Sequence, residues 1–471
     1  MVRCALILAA GNGSRLQRRG NDIPKPLREV CGLPLIHRTI LSAKKAGVTR
    51  FVIVVGYMQE TIRAALTQAN LGVTIEFIEN KDWKKSNGVS VLAAKDVLKE
   101  NFFLLMSDHV FDFKILERFG KAGLGAADAK LAIDYQTSKV FDIEDATKVL
   151  ANEGQIQSIG KNIEKYNAID TGIFLVSPAL FDALGSIYQQ KQNCSLSEGI
   201  QVLANQGKMG TFDIEGGFWQ DVDTKPALKE AQKQLLNACR KPSDGFISRH
   251  INRPISLFVS SLLMKTPLSA NQITALVSVI GLFSGYCVAK GDYWNVAIGG
   301  LLFKLSSILD GCDGEISKLK FSESKLGQWL DTLSDNLTYI VFIIGVVFGV
   351  ANRGNPHIVI LGTLTLFGLA MTLLIMFTYL LRNTNSGSLI ALQNDFKKLD
   401  SQSSVKKFFG KIQFMIKRDF FALVFFCLAL FNQLEAILWA ILIGTNLIWM
   451  VLLNTKMGLF RSGSVIPKHN I

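Results

Sequence analysis

From about residue 268 onward the chain consists mostly of long apolar runs, and four aspartates at fixed spacing stand among them: Asp310, Asp313, Asp331 and Asp335, with Gly314 and Gly327. A bilayer span takes roughly 20 apolar residues, and lipid tolerates only helices or closed barrels. Helical spans are therefore expected at 271–289, 293–309, 333–351, 357–381, 419–432 and 434–453, the fifth being short. Ionisable groups at the edge of such segments are costly and are retained for function, and four of one sign repel unless cations share the site. Gly327, Asp331 and Asp335 recur at four-residue steps and form one helical stripe, with the glycine leaving room for another backbone or a ligand. Asp310 and Asp313, three apart, share a face as well. Hard oxygen donors in this number suit Mg²⁺, Mn²⁺ or Ca²⁺, and a pair of such ions can hold a diphosphate and activate an attacking hydroxyl.

The full string, Asp310-x-x-Asp313-Gly314-x-x-Ser317-Lys318, eight residues, then Gly327-x-x-x-Asp331-x-x-x-Asp335, resembles the signature of the CDP-alcohol phosphotransferases. Two positions depart from the family pattern: Ser317 replaces Ala and Lys318 replaces Arg. Lysine offers charge to a phosphate but no bidentate fork. The resemblance implies that Asp310, Asp313 and Asp331 with their metals hold a CDP-alcohol, that Gly314, Ser317 and Lys318 meet its nucleotide, and that Asp335 is the general base.

The formal charge of +13 needs no nucleic acid to account for it. With both ends of six spans inside, Lys318, Lys320 and Lys325, then Arg382, Lys397, Lys398, Lys406, Lys407, Lys411, Lys417 and Arg418, then Lys456, Arg461 and Lys468 fall on one side, against Lys290 and Arg353 on the other. That asymmetry marks the first side as cytoplasmic. The seven cysteines show no paired spacing and read as reduced, buried thiols.

The first 240 residues have a different texture. Arg3 to Ala9 reads as a buried strand, followed by Ala10-Gly11-Asn12-Gly13-Ser14-Arg15-Leu16 and then Pro24-Lys25-Pro26-Leu27. A chain that opens this way is expected to carry no secretory signal. Glycines after a strand let backbone amides approach a phosphate, and Arg15 and Lys25 supply charge for a triphosphate. Apolar runs at Phe51–Val55, Val73–Ile78 and Phe102–Met106 alternate with helical stretches at Pro34–Ala46, Gln59–Ala69 and Val89–Lys99, which predicts a doubly wound sheet with ligands at the strand C-termini.

The combination of Leu8-Ala9-Ala10-Gly11, Gly13, Arg15 and Pro-Lys-Pro-Leu resembles the sugar-phosphate nucleotidyltransferases. By that resemblance Asp108 is a metal ligand, Asn87 and Gly88 meet base and ribose, and Asp221, or as runner-up Asp223, completes the metal site. Lys161 would hold the phosphate of the second substrate and Asp170 one of its hydroxyls. Mg²⁺ or Mn²⁺ is implied at both sites. The stretch 241–267 mixes apolar residues with Arg249, His250, Arg253 and Lys265 around Pro254, and suits either an amphipathic helix in the membrane interface, basic groups toward lipid phosphates, or a linker helix packed on the soluble domain.

The expected fold is thus an α/β doubly wound nucleotidyltransferase domain (1–240), an interfacial linker helix (241–267) and an all-α six-helix transmembrane phosphotransferase domain (268–471). One half would make the substrate of the other. This order resembles the family of bifunctional inositol-1-phosphate cytidylyltransferases and di-myo-inositol phosphate phosphate synthases. The resemblance implies CTP and inositol-1-phosphate as substrates, CDP-inositol as intermediate, contact with membrane lipid, a homodimer through the membrane domain, and both sites on the cytoplasmic side of the cell membrane. Headgroup transfer onto a lipid acceptor is the alternative reading.

Overall fold

The computed structural model describes residues 2–13, 23–242, 244–383 and 417–461, and the chain divides into two compact units, Met1–Asn237 and Ala238–Ile471. Residues 241–267 fall in the second unit.

In the first unit the strands are β1 (Cys4–Ala9), β2 (Glu29–Val30), β3 (Leu33–Pro34), β4 (Arg50–Val55), β5 (Thr74–Glu79), β6 (Phe102–Met106), β7 (His109–Phe111), β8 (Ala129–Asp134), β9 (Lys148–Asn152), β10 (Gln155–Gly160), β11 (Ala168–Val176), β12 (Met209–Asp213) and β13 (Trp219–Asp221). The helices are α1 (Leu35–Lys45), α2 (Gln59–Ala69), α3 (Asn87–Leu92), α4 (Phe113–Ala122), α5 (Ala179–Lys191), α6 (Leu196–Asn205) and α7 (Lys225–Asn237). Nine strands form one sheet in the order β5-β4-β1-β6-β11-β8-β12-β10-β9. The β5-β4-β1-β6 part is parallel, and β11 then runs antiparallel to β6.

Strand alternation explains why both faces are covered. Leu6, Val52 and Leu104 turn to one core with Phe181, Leu184 and Ile200. Ala5, Ile7 and Ile53 turn to the other with Ile36, Ile40 and Phe119. A sheet buried on both sides reads as continuous apolar runs, as β1 and β4 do. Because the chain leaves β1 for β4 on one side and later returns to β6 on the other, a crevice opens at the C-terminal ends of β1 and β6.

The second unit is helical: α8 (Arg253–Leu263), α9 (Ala270–Ala289), α10 (Tyr293–Leu309), α11 (Gly311–Leu319), α12 (Lys325–Asn352), α13 (Ile358–Asn383), α14 (Arg418–Leu430) and α15 (Leu434–Arg461). All six apolar runs of the sequence are helical. Among the described residues four stretches, Ala270–Ala289, Tyr293–Leu319, Lys325–Asn352 and Ile358–Thr378, are long and apolar enough to cross a membrane, and the described part of the last helix, Leu434–Met450, is a shorter apolar stretch. At 13 residues α14 rises only about 20 Å and falls short of the roughly 30 Å hydrocarbon core. Six of the seven cysteines are buried, but Cys427 is exposed on α14, which corrects the expectation of seven buried thiols.

Small residues set the closest crossing. A Cβ on Gly285 would lie 2.7 Å from the Val341 carbonyl oxygen, and one on Gly345 would run into the Gly285 backbone, so α9 and α12 touch main chain to main chain. Gly345→Val is expected to destabilise this unit by about 1–3 kcal/mol. A lowered melting transition in detergent checks it, and an unchanged transition refutes the tight crossing.

Candidate active sites

The first centre lies at the crevice between β1 and β6. Gly13 has φ +56°, and a side chain there would collide with Lys25 Cβ, so the glycine is what lets the loop pass over Lys25. Lys25 is buried, and its Nζ bonds Asp108 Oδ2 at 2.5 Å and Asp223 Oδ1, with Asp221 Oδ1 at 3.8 Å. Asp108 follows β6 directly, while Asp221 is delivered by the β13–β7 ladder, which sets it opposite His109. Burial opposes the ammonium, but Asp108, Asp221 and Asp223 together hold the Lys25 pKa above its usual value. Burial pushes Asp221 up to about 6, helped by Asp108 and Asp223 and opposed by His109 and Lys25.

No motif of the sequence singles out His109. Its Nδ1 lies 2.8 Å from Asp108 Oδ1, and its ring stacks with Trp219 at 6.4 Å between centroids. Burial works against its charged form, yet Asp221 and Asp108 outweigh burial and raise the pKa to about 9. Gly172, φ +73°, leaves the ring its place, since a Cβ there would sit 2.7 Å from it.

A divalent cation fits these residues. Asp108, His109 and Asp221 present donor atoms within 4.8 Å of one another, and among the described residues Asp221 Oδ1 is buried with no hydrogen-bond partner. A buried carboxylate oxygen without a hydrogen bond, with a second carboxylate close by, suits a hard cation.

Beside this cluster a cavity of about 410 Å³ is lined by Asn87, Asp134, Lys161, Asp170 and Trp219 among others. Asp170 is pushed up to about 6 by burial, although it accepts the Gly172 N–H at 2.7 Å. Lys161 reaches the cavity while paired to Asp145 at 2.7 Å, and Trp219 Nε1 donates to Asp134 at 3.0 Å. Asn87 opens α3 and accepts the Leu196 N–H at 2.9 Å. Gly88 has a packing reason of its own, because a Cβ would lie 2.6 Å from the Cys194 carbonyl oxygen. Leu8 and Ala9 end β1, Ala10 bonds Tyr57 through its carbonyl at 3.0 Å, and a Cβ on Gly11 would meet nothing within 4 Å among the described residues. Arg15 lies outside the described residues.

The second centre is built on α10, α11 and α12. Asp310 sits at the break between α10 and α11, and Asp331 and Asp335 follow one another on α12. These three present oxygens within 4.8 Å of one another. Asp313, in the first turn of α11, accepts Thr274 Oγ1 and the Gly314 N–H, both at 2.5 Å. A Cβ on Gly314 would meet nothing within 4 Å among the described residues, which leaves room there for a ligand. Ser317 Oγ donates to the Gly314 carbonyl at 3.1 Å, and Lys318 Nζ donates to the Ala238 carbonyl. Gly327, in the first turn of α12, leaves Asn271 Oδ1 3.2 Å from where its Cβ would be.

Arg418, in the sequence one of many basic residues, enters this centre from α14. Its Nη1 pairs with Asp310 Oδ1 at 2.9 Å and with Asp335, its Nη2 donates to Ser306 Oγ at 3.0 Å, and its guanidinium lies 5.4 Å from the Tyr339 ring centroid. Three converging carboxylates of hard donor type, with an open glycine beside them, fit one or more divalent cations. The basic residues at 382 and 397–411 lie outside the described side chains.

Residues 5–191 match the family model of the MobA-like NTP transferase domain, and residues 268–454 match that of the CDP-alcohol phosphatidyltransferases. Fold and sites therefore define a nucleotidyltransferase joined to a membrane-embedded CDP-alcohol phosphotransferase. The chain is 35% identical over 345 residues to the bifunctional IPC transferase and DIPP synthase of Aquifex aeolicus, covering 73% of this chain and 76% of that protein. It is 33% identical over 351 residues to the protein of that name from Rubrobacter xylanophilus, covering 74% and 78%. A solved structure described as the inositol-1-phosphate CTP transferase from T. maritima is 30% identical, covers 50% of this chain and 96% of that one, and superposes with a TM-score of 0.44. The chain belongs to the family of bifunctional IPC transferases and DIPP synthases.

Proposed function

We propose that the chain joins CTP and inositol-1-phosphate to give CDP-inositol and pyrophosphate, then transfers the inositol phosphate unit of CDP-inositol onto a second inositol phosphate, giving di-myo-inositol phosphate phosphate and CMP. The observation that carries this reading is the presence, in one chain, of two separate acidic centres, each backed by its own cationic side chain: Lys25 in one and Arg418 in the other. In the first reaction Lys25 holds negative charge on the triphosphate, Lys161 takes the phosphate of the incoming alcohol, and Asp170 with Asp134 orients its hydroxyls. In the second, Asp335 accepts the proton of the attacking hydroxyl and Arg418, already beside it, balances charge at the phosphates. Mg²⁺ or Mn²⁺ held by Asp108 and Asp221, and by Asp310, Asp313, Asp331 and Asp335, would supply Lewis-acid charge to the phosphate oxygens.

On this reading the second unit sits in the cell membrane with the aspartates on the cytoplasmic side, and pairs with a second copy through its helices. Exposed Tyr286, Tyr293 and Trp294 lie at the end of α9 and α10 away from the aspartates and would mark the opposite interface.

Purified protein given CTP, Mg²⁺ and inositol-1-phosphate is expected to form CDP-inositol and then a phosphorylated di-inositol phosphodiester, read by mass spectrometry. If CDP-inositol accumulates and turns over only with added lipid, the acceptor is lipid. If no CDP-inositol forms, the headgroup assignment falls.

A further inference from the structure

Helix α8 has its polarity reversed relative to a helix packed on a protein core. Ile255, Phe258 and Leu262, at three- and four-residue steps, are exposed, while Arg253, Ser256 and Ser260 on the other face are buried. The expectation that the basic groups of this stretch reach outward to lipid phosphates is therefore corrected at Arg253, which points inward. Polar groups are stable inside only if each finds a partner.

The partner is Glu315 of α11. Its Oε1 accepts Arg253 Nη1 at 2.6 Å and Ser256 Oγ at 2.7 Å, and its Oε2 accepts Ser260 Oγ at 2.7 Å. Arg253 is further held by Asp244, through Nε at 2.9 Å and Nη2 at 3.1 Å. Burial notwithstanding, these bonds keep the Asp244 pKa below its usual value. The same network presses on the turn between the aspartates. A Cβ on Gly311, the residue after Asp310, would lie 3.1 Å from Arg253 Nη1, and Cys312 Sγ donates to the Ser256 carbonyl at 3.5 Å. So α8 grips Gly311 and Cys312, which lie between Asp310 and Asp313, and Glu315, two residues beyond them.

We infer that Arg253 and Glu315 are positioning residues of the phosphotransferase centre, fixing through Gly311 the turn that aims Asp310 and Asp313. A buried carboxylate whose two oxygens are fully bonded from a neighbouring helix allows that turn one placement, and ligand supports of this kind set metal affinity without touching the metal. The inference rests on the reading of the aspartates as metal ligands.

The test uses the full chain carrying Asp108→Asn, so that the first centre does not compete, and measures Mn²⁺ binding from the paramagnetic resonance of the free ion beside phosphotransfer kinetics. Glu315→Gln and Arg253→Lys are each expected to weaken Mn²⁺ about 10-fold and to lower kcat by a similar factor, with the KM for CDP-inositol moving less than about threefold. Ser260→Ala, which removes one bond to Glu315 and spares the fold, should shift both the same way by about two- to threefold. If these variants lower the melting transition while Mn²⁺ affinity and kcat stay at the parent values, the residues only stabilise the unit and the inference is overturned. Asp310→Asn separates the two readings: retained Mn²⁺ binding there would refute the metal site itself.

Discussion

Asp335→Asn is expected to lower transfer from CDP-inositol by about 10³-fold, some 4 kcal/mol in the barrier, while CDP-inositol synthesis by the same protein stays within about twofold of the parent. The carboxylate has two duties in the proposed chemistry: it takes the proton of the attacking hydroxyl and it completes the acidic cluster with Asp310 and Asp331. An amide keeps the shape but can do neither. The fold should survive, because Arg418 retains Asp310 at 2.9 Å and Ser306 at 3.0 Å when its bond to Asp335 is lost, and α12 still meets α9 through Gly345. Separate assays of the two half-reactions, with a melting curve in detergent, measure the effect. Transfer retained within about tenfold would remove Asp335 from the role of base.

The parts of this protein legible in its sequence are those where chemistry and periodicity act over a few residues. The β1 run ending in a glycine loop, the strands near Phe51, Val73 and Phe102, the six apolar helices and the Asp310 to Asp335 string are all local patterns, and these elements appear where the periods put them; the helix expected over Val89–Lys99 is the exception, since α3 spans only Asn87–Leu92 and the chain then passes into turns. Parts fixed by long-range contact are not legible in this way. The antiparallel half of the sheet depends on β11 returning beside β6, which no local period announces. His109 joins the first centre only because the β13–β7 ladder carries Asp221 to it, and Arg418 reaches Asp310 from a helix far along the chain. Four aspartates at helical spacing suggest four convergent ligands. In the folded unit Asp310, Asp331 and Asp335 present oxygens within 4.8 Å of one another, while Asp313 stands beside them bonded to Thr274. Likewise the residues of α8 show two faces in sequence, but which face turns inward is decided by Glu315, a charge hidden at a variable position of the motif.

Asp108→Asn carries the second large effect. It is expected to reduce CDP-inositol synthesis by about 10³-fold and to leave transfer from supplied CDP-inositol unchanged within about twofold. In the present geometry Asp108 is the hub of the first centre: it bonds Lys25 at 2.5 Å and His109 at 2.8 Å, and it stands among the donors able to hold a cation. Both partners hold its carboxyl below the ordinary carboxylate range in spite of burial, so it enters the reaction charged throughout the neutral pH range. On the proposed reading, replacing it removes that charge where the α-phosphate would be met and leaves Lys25 paired to Asp223 alone at bonding distance, which misdirects the ammonium. Synthesis persisting within about tenfold would instead assign the cation to Asp221 and Asp223. Mixing the Asp108→Asn and Asp335→Asn proteins then asks whether the intermediate leaves the enzyme. Each lacks one step and keeps the other, so the mixture should recover the di-inositol product after a lag set by CDP-inositol accumulating in solution, and failure to recover it would mean that the intermediate passes between the two centres of one chain or one dimer without release.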